Sequence, residues 1–514
     1  MDTSTNISTD EVDVHSTIRT VNKKRKPAGV RIPALDATQK KVIALLESTR
    51  EYWHMRTVPY NPLQPHDSIQ TRYEAGRDLR KQVPRESHAE WNPPKHRPSG
   101  ADFVIAGNAG RQQELVPLRI GRMAASPFAF LRGAAAVMAW DLSHTPITGI
   151  QTLIDGDGHI NNFGLYGTPQ RDIVVDLNDF DEAVVGPWEW DLKRLVASIN
   201  VAARENGFTK RERRRAVVEC VTGYRANLQR LHSMAILDVW SIYAYVDRIP
   251  KVIKIPKKSW VLIQKTVEKA RATTNATLLT KVAHRQRDGG WSFVEDPPIL
   301  TRVEDDTRKK VIESLAEYAE TVPAGPRDML KHYSVADVAH RVVGVGSVGT
   351  RAYLVLLFGN SDKDPLFLQV KESGVPAHAP YLPPMLSKLP HQGRRVVGTQ
   401  RMLQATGDPL LGYTTIDRRD YFVRQMKNMK ASMPLEWLTG EPFYFWGFIC
   451  GALLARAHCR NGDAARIAGY CGKSEVLDEA LAEFAEAYAD QTETDHTSLV
   501  EAVKKGRVKA LEGI

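Results

Sequence analysis

The chain has 514 residues, of which 42% are hydrophobic and 25% charged, a composition typical of a globular protein with more than one structural unit. Its net charge of +10 suits anionic ligands, but no zinc-finger spacing or aromatic RNA-binding signature accompanies the charge, which argues against a nucleic-acid partner. There is no apolar run of membrane-spanning length, no secretory signal and no cysteine-rich framework, so we expect a cytoplasmic protein with reduced thiols and no membrane association.

The first half of the chain is predicted to be mainly helical. Residues 1–37 are polar and predict a disordered tail, and helical periodicity begins with ATQKKVIALLESTREYW. The segment PFAFLRGAAAVMAWDL, residues 127–142, has the length and alanine content of one buried helix. RDIVV predicts a strand, and GPWEWDLKRLVASINVAAREN predicts a helix with Pro187 in its first turn and tryptophans anchored in the core.

The second half changes character near residue 333. Segments rich in β-branched residues and glycine predict a small sheet over residues 333–430, which contains one helix, GRRVVGTQRMLQAT. From residue 431 the pattern is helical again, and FYFWGFICGALLARAH is its most apolar part. The sequence therefore predicts an α+β fold, with a helical lobe at 38–332, a β-rich lobe at 333–430 and helices at 431–514 that complete the large lobe.

Polar groups are concentrated in one stretch, IDGDGHINNFG, at residues 154–164. Asp157 and Asn162 have the spacing D-x-x-x-x-N, with which one short loop can present a carboxylate to orient a hydroxyl and a neutral oxygen to bind magnesium. The spacing by itself is weak, because such pairs arise by chance in long chains. The alternative is a turn in which the two side chains cap their own backbone.

A cluster of carboxylates follows this stretch. Asp176 ends the β-branched run, and Asp179, Asp181 and Glu182 come directly after it. Repulsion within such a cluster is costly unless a cation or a basic partner is present, and magnesium prefers oxygen ligands. Asp176 and Asp179 are therefore candidate metal ligands, and the alternative is a solvated acidic turn.

Three glycines, Gly344, Gly346 and Gly349, form a G-x-G-x-x-G pattern. Dinucleotide-binding folds use this pattern to open a helix, whereas here it leads into the strand-like segment AYLVLLF. Strand, glycines and strand are typical of the loop that covers nucleotide phosphates in kinases. Lys371, on the next predicted strand, could then meet the phosphates, and the alternative is a hairpin turn with an edge lysine that discourages aggregation.

Several blocks of the sequence resemble a family. SPFAFLRGAA, GDGHINNFG, NDFDEAVVGPWEWDLKRL and RVVGTQRMLQA resemble the bacterial domain of unknown function family 2252, which is grouped with the protein-kinase-like superfamily. GDGHINN is similar to the H-G-D-x-H-x-x-N loop of aminoglycoside and choline phosphotransferases, and VVDLND to their next magnesium-binding aspartate. The resemblance implies a two-lobe kinase-like fold, Asp157 as the hydroxyl-orienting base, and Asn162 and Asp176 as magnesium ligands. His159 matches the loop histidine, and the resemblance implies that this residue maintains the geometry of the loop.

The sequence departs from this pattern in three ways. Asp155 stands where the loop usually has histidine, and the helix that should supply a glutamate partner for Lys371 has none, which leaves Gln400, Gln404 or Glu372 as substitutes. The glycines and Lys371 also follow the Asp157 loop, whereas in kinases they precede it, which predicts a circularly permuted arrangement.

The function predicted from these observations is ATP- and magnesium-dependent phosphotransfer to a hydroxyl-bearing acceptor. Nucleotidyl transfer on the same scaffold is one alternative. A non-catalytic nucleotide-binding regulator is another, which the missing helix glutamate favours. Neither the acceptor nor the oligomeric state follows from the sequence. Arg132 could reach a phosphate, although arginines in such helices more commonly serve packing.

Overall fold

The computed structural model describes residues 32–49, 63, 67–342, 344–384, 389–426 and 428–511. Most of the predicted tail and the last residues of the first predicted helix lie outside this part of the chain. The described residues form helices and antiparallel sheets, which confirms the predicted α+β class. None of their helices is both long and apolar enough to cross a membrane.

The strands are numbered β1–β13 in chain order. They are Gln151–Ile154, Phe163–Gly167, Ile173–Leu177, Val184–Pro187, Ala283–Arg285, Trp291–Phe293, Leu300–Arg302, Ser334–Arg341, Ala352–Phe358, Pro365–Glu372, Gly412–Ile416, Arg419–Gln425 and Ala431–Ser432. Within the described ranges they form a six-stranded sheet in the order β11-β12-β10-β9-β8-β7, a three-stranded sheet β13-β2-β3, and the pairs β1-β4 and β5-β6.

The α-helices surround these sheets. They are Ala37–Ser48, Ile69–Asp78, Gly100–Ala106, Val116–Ala124, Pro127–Gly133, Ala135–Leu142, Trp188–Glu205, Lys210–Leu231, Ile236–Trp240, Ile249–Val252, Lys257–Arg271, Asn275–Val282, Asp305–Thr321, Ala324–Leu330, Gln392–Leu403, Glu441–Cys459, Ala464–Cys471 and Val476–Lys504. Pro187 lies just before the first residue of its helix and, having no N–H, leaves no donor unsatisfied there.

The helices that follow β4 pack against the C-terminal helices and form the helical lobe. The Lys210–Leu231 and Glu441–Cys459 helices approach closely at two glycines. A Cβ at Gly223 would lie 2.2 Å from the carbonyl oxygen of Phe448, and one at Gly451 would lie 2.0 Å from that of Cys220. The small residues therefore set the distance between the two helices. The tryptophans of the GPWEW segment are buried in this lobe, as expected of core anchors.

The six-stranded sheet carries a core on each face. The Asp305–Thr321 helix packs on one face through Val311 and Tyr318, and the Asn275–Val282 helix packs on the other through Leu278 and Leu279. The alternating apolar residues of β9 and β10 supply both cores. The sheet also includes β7, which lies before the boundary at residue 333 that the sequence suggested.

One predicted helix is divided. The segment 127–142 forms two helices that meet at Ala134, whose ψ of 40° is not helical. Nη2 of Arg119 donates to the carbonyl oxygen of Gly133 at 2.6 Å, so a tertiary contact occupies a carbonyl that a continuous helix would use. Tertiary context therefore overrides the helix propensity of the alanine run.

The chain returns from the sheet to the helical lobe after β12. β13 pairs with β2, so the segment that follows the six-stranded sheet adds a strand beside the polar stretch at residues 154–164, which we call the polar loop. The C-terminal helices then complete the helical lobe, and an ion pair between Asp176 and Arg456 joins its two parts. The strand β13 lies at Ala431–Ser432, and the next α-helix begins at Glu441.

Candidate functional site

The polar loop after β1 is held in place by Asp191, which lies in the first turn of the helix that follows β4. The Asp191 carboxylate accepts hydrogen bonds from the backbone N–H groups of Asp155 (2.7 Å) and Gly156 (2.9 Å). Gly156 has a φ of +77°, and a Cβ there would lie 2.2 Å from the carbonyl oxygen of Glu182. Only glycine fits at this point, and the loop is therefore fixed in one conformation.

Asp157 presents its carboxylate to a cavity between the helical lobe and the six-stranded sheet. Nε and Nη2 of Arg194 both donate to Oδ1, at 2.9 and 2.5 Å, and no described residue bonds Oδ2. Burial raises the pKa of Asp157 to about 7, although Arg194 opposes this effect. The side chain thus has one oxygen that is held and one that can accept a proton near neutral pH.

Asn162 and His159 line the same cavity. Nδ2 of Asn162 donates to the backbone carbonyl of Asp157 at 2.9 Å, which leaves the amide oxygen for a ligand. The carbonyl of His159 accepts the N–H of Asn162 at 2.7 Å. Burial lowers the pKa of His159 well below its usual range, so the ring is neutral. The ring makes an edge contact with Phe128, and its Nδ1 is buried without a hydrogen-bond partner among the described residues.

Asp176 does not line the cavity with these residues. It is 2% exposed, and its Oδ1 accepts hydrogen bonds from Nη2 of Arg456 (2.5 Å) and from the N–H of Leu177 (2.9 Å). Its Oδ2 accepts the N–H of Ala405 at 3.0 Å. Both oxygens are occupied by protein donors, so the position that the resemblance implied for a magnesium ligand is a structural ion pair in this chain.

Asp179, three residues further along, lines the cavity, and so does Asp181. Lys371 on β10 forms an ion pair with Oδ2 of Asp181, and its Nζ lies 3.9 Å from Oδ2 of Asp179. Burial opposes the charge of Lys371, but the two carboxylates outweigh it and raise the pKa of the lysine. Oδ1 of Asp179 and Oδ1 of Asp181 are buried without a hydrogen-bond partner among the described residues. These oxygens fit a divalent cation.

The carboxylate partner of Lys371 thus comes from the loop after β3 and not from the Gln392–Leu403 helix. Nε2 of Gln400 donates to Gln404, and Nε2 of Gln404 donates to the carbonyl of Leu177. Glu372 is bonded to arginines of the sheet. None of the three substitutes considered from the sequence pairs with the lysine.

The glycine loop, residues 344–349, covers the cavity. Gly344 and Gly349 have φ values of +62° and +86°, which explains the need for glycine at both positions. The loop is attached to the preceding helices by hydrogen bonds from Arg122 to the carbonyl of Gly344 (2.7 Å) and from the backbone of Gln112 to that of Gly349 (2.8 Å). Gly346 lines the cavity, and its Cβ position is 3.3 Å from the carbonyl oxygen of Arg132.

The cavity has a volume of about 270 Å³ and is lined by charges of both signs. Its carboxylates are Asp157, Asp179, Asp181, Glu182 and Glu372, and its guanidinium groups are Arg111, Arg119 and Arg132. None of these three arginines forms an ion pair within the described ranges, and burial lowers the pKa of each one. A buried guanidinium group without a directly paired anion is costly, so these three arginines are suited to bind an anionic group of a ligand.

Arg132 has the fewest contacts of the three. Its guanidinium lies 5.9 Å from the ring centroid of Phe128, and the part of the chain that the structure describes offers it no hydrogen-bond acceptor. The charges of Asp157 and Asp179 act on it, which indicates that it lies near both. The sequence favoured a packing role for this arginine, yet its side chain lines the cavity.

The structure thus brings Asp157, His159, Asn162, Asp179, Gly344 and Gly346 to one cavity, with Lys371 behind the carboxylates. Arg194, Arg111 and Arg119 were missed from the sequence. No short motif marks them, because each reaches the site through a contact that only the folded chain creates.

Comparison with known proteins gives one match. No curated protein and no solved structure matches the chain. The profile of one family matches residues 111–502, a range that contains the polar loop, the carboxylates, the glycine loop and Lys371. Because this range is well over half of the sequence, the chain belongs to the family described as an uncharacterized protein conserved in bacteria, DUF2252.

Proposed function

We propose that the protein transfers the γ-phosphoryl group of ATP to a hydroxyl group of an acceptor, with magnesium as the cation. The observation that carries the proposal is that Asp157, Asn162 and Asp179 share one cavity with the glycine loop, which lies in a distant part of the sequence. Phosphoryl transfer needs a residue to orient the hydroxyl, oxygen ligands for magnesium and donors for the phosphates, and the cavity has side chains whose chemistry suits each of these tasks.

The order of the sheet supports a kinase-like relation. β8 and β9 flank the glycine loop, β10, which follows β9, carries Lys371, and the Gln392–Leu403 helix comes next. Protein kinases likewise have a glycine-rich loop, a lysine on the third strand and a helix that positions the lysine. Since these elements follow the Asp157 loop in this chain, we infer a circular permutation of the kinase order, which closely spaced termini of a domain permit.

Asp157 acts as the base in the proposed reaction. Its Oδ2 accepts the proton of the acceptor hydroxyl while Arg194 holds Oδ1. The acceptor oxygen forms a bond to the γ-phosphorus, the bond from that phosphorus to the β–γ bridging oxygen breaks, and ADP leaves. Arg132 and its neighbours Arg111 and Arg119 neutralise charge on the phosphate oxygens.

Asn162 and Asp179 are the residues that would hold magnesium. The Asn162 amide oxygen has no hydrogen bond among the described residues, and Oδ1 of Asp179 is buried without a partner. Held by these oxygens, the cation would supply positive charge to neutralise the phosphates. Lys371 fixes the positions of Asp179 and Asp181, and a phosphate reaches its ammonium only if Asp181 turns away from it.

Labelled nucleotides test the proposal. With γ-labelled ATP and magnesium, we expect label in phosphate or in an added hydroxyl compound, and no such product from Asp157→Asn. Asp238→Asn is the control, because Asp238 is exposed and has no side-chain bond within the described ranges. Transfer of label from α-labelled ATP would instead support nucleotidyl transfer, and would overturn the proposal.

A nucleotide-binding regulator is the second candidate, because the Gln392–Leu403 helix has no glutamate to pair with Lys371. For either function the size of the cavity sets a condition. The volume of about 270 Å³ lies below the roughly 300–1,000 Å³ of typical small-molecule sites. A nucleotide therefore needs the glycine loop to open, which breaks its bonds to Arg122 and Gln112. Saturable binding of ATP without any turnover would favour the regulator.

A further inference from the structure

A second group of metal-compatible side chains lies apart from the cavity. Asp36 caps the Ala37–Ser48 helix, His96 precedes the Gly100–Ala106 helix, and His144 follows the Ala135–Leu142 helix. One ligand atom from each lies within 4.8 Å of the others. Oδ2 of Asp36 is 2.7 Å from Nε2 of His144 and 3.0 Å from Nε2 of His96.

The hydrogen bonds of His144 cannot all form with a neutral ring. Its Nδ1 lies 2.9 Å from the carbonyl oxygen of Trp140, and its Nε2 faces the carboxylate of Asp36. Both neighbours are acceptors, whereas a neutral imidazole has one N–H, so a second proton or a cation is needed. Histidines that bind metals commonly donate Nδ1–H to a backbone carbonyl and leave Nε2 for the metal.

Neighbouring contacts also fix the positions of the Asp36 carboxylate and the His144 ring. Oδ1 of Asp36 accepts the N–H of Gln39 at 2.9 Å, which directs Oδ2 toward the histidines. The ring of His144 lies 4.1 Å from that of Trp140, centroid to centroid, and its side chain is 4% exposed. His96 is half exposed, so the group is open to solvent on one side.

We propose that Asp36, His96 and His144 bind one Zn²⁺ ion, with water as the fourth ligand. Two imidazole nitrogens and a carboxylate oxygen suit zinc, whereas magnesium prefers oxygen ligands alone. Metal–ligand distances of about 2.0–2.2 Å in a tetrahedral site place ligand atoms roughly 3.3 Å apart. The present contacts of 2.7 and 3.0 Å need to open by only about half an ångström.

The proposed zinc has a structural role. It joins the N-terminal helix to two short helices, and residues of both, such as Phe103 and Ala135, line the cavity. None of the three ligands lines the cavity itself. The zinc therefore stabilises the folded chain and takes no part in the proposed reaction, so the two proposals can fail separately.

Metal content and melting temperature of the full-length protein test this site. After treatment with a chelator and removal of free metal, we expect one added Zn²⁺ to remain bound per chain and to raise the melting temperature. Asp36→Asn and His96→Ala should lose this ion and the temperature gain. His332→Ala, which changes an exposed histidine outside the group, should keep both.

Two outcomes would overturn the zinc site. One is a wild-type chain that binds no stoichiometric zinc. The other is full zinc retention by His96→Ala, which would place the bound ion elsewhere. His96→Ala is a safe variant for this purpose, because a half-exposed side chain contributes little to folding. Cobalt in place of zinc adds a direct readout, since its visible absorption reports tetrahedral coordination.

Discussion

Asp176 and Asp179 carry the same carboxylate three positions apart, and we expect opposite consequences when each is changed to asparagine. Asp176→Asn removes the anion that faces Arg456, whose Nε and Nη1 already lack hydrogen-bond partners among the described residues. Both partners of this pair are 2% exposed. Loss of one partner of a buried pair costs about 3–5 kcal/mol, because the other charge stays buried and uncompensated.

Asp179→Asn should leave the free energy of unfolding nearly unchanged. Asp179 repels its neighbour Asp181, and the amide removes that repulsion while it weakens the interaction with Lys371 at 3.9 Å. What this variant should lose is the stabilisation by magnesium and ATP. In the wild type, ligand at about 100 times its dissociation constant adds about 2.7 kcal/mol.

Urea unfolding followed by tryptophan fluorescence measures both effects, with and without magnesium and ATP. Asp176→Asn should have a much lower midpoint and keep the ligand-induced increase, whereas Asp179→Asn should keep the midpoint and lose the increase. If the ligand-induced increase disappears in Asp176→Asn and persists in Asp179→Asn, Asp179 is not the metal ligand and our interpretation of the cavity is wrong.

Three more predictions follow from buried charges. Asp157→Asn should lower phosphate release from γ-labelled ATP by about 10²–10⁴-fold. It should barely change the free energy of unfolding, because burial raises the pKa of this carboxyl to about 7. Wild-type turnover in this variant would exclude Asp157 from the mechanism. Arg132→Met should lower the same rate by about 10²–10³-fold at unchanged stability, and an equal loss in the exposed control Arg302→Met would contradict a specific role. Burial lowers the pKa of Lys193 to about 7 although Glu189 opposes it, so Lys193→Met should stabilise the protein by up to about 5 kcal/mol at pH 6. From pH 7 to 10 the free energy of unfolding of the wild type should rise relative to this variant, because Lys193 holds a proton in the unfolded chain that it has released in the folded one. Parallel curves of unfolding free energy against pH would refute this.

Local patterns in the sequence were sufficient to predict the elements that carry the candidate site residues. The D-x-x-x-x-N spacing, the glycine hairpin and the strand with Lys371 are each contained in a short segment whose residue types determine its backbone. The glycines are informative because Gly344 and Gly349 have positive φ values. These segments could therefore be identified before their relative positions were known.

The choice between Asp176 and Asp179 could not be made in this way. β3 extends to Leu177, so Asp176 is still within the strand and its side chain meets Arg456, 280 residues further along the chain. Asp179 follows the end of the strand and faces the cavity. Nothing near either residue in the sequence indicates which one has a distant arginine as its partner.

The partner of Lys371 and the arginines of the cavity could not be predicted from the sequence for the same reason. The sequence directed attention to the Gln392–Leu403 helix, whereas the lysine is paired with Asp181 from the loop after β3. Arg111, which lies between two helices, and Arg119, which lies on the Val116–Ala124 helix, reach the cavity because this part of the chain packs beside the glycine loop. Such contacts depend on how the helices and the six-stranded sheet meet, which one sequence without its structure does not reveal.

The link between Asp176 and Arg456 has a consequence for synthesis on the ribosome. The apolar helices up to Glu205 cannot be covered until the C-terminal helix, which ends at Lys504, has been made. At about 5–20 residues per second, roughly 15–60 s pass between these two points. During that interval the nascent helical lobe exposes apolar surface while the inserted sheet can already fold on its own cores. Such a chain exposes apolar surface that chaperones bind, and loss of its last helix would uncover part of the Trp188–Glu205 helix, whose Asp191 holds the polar loop.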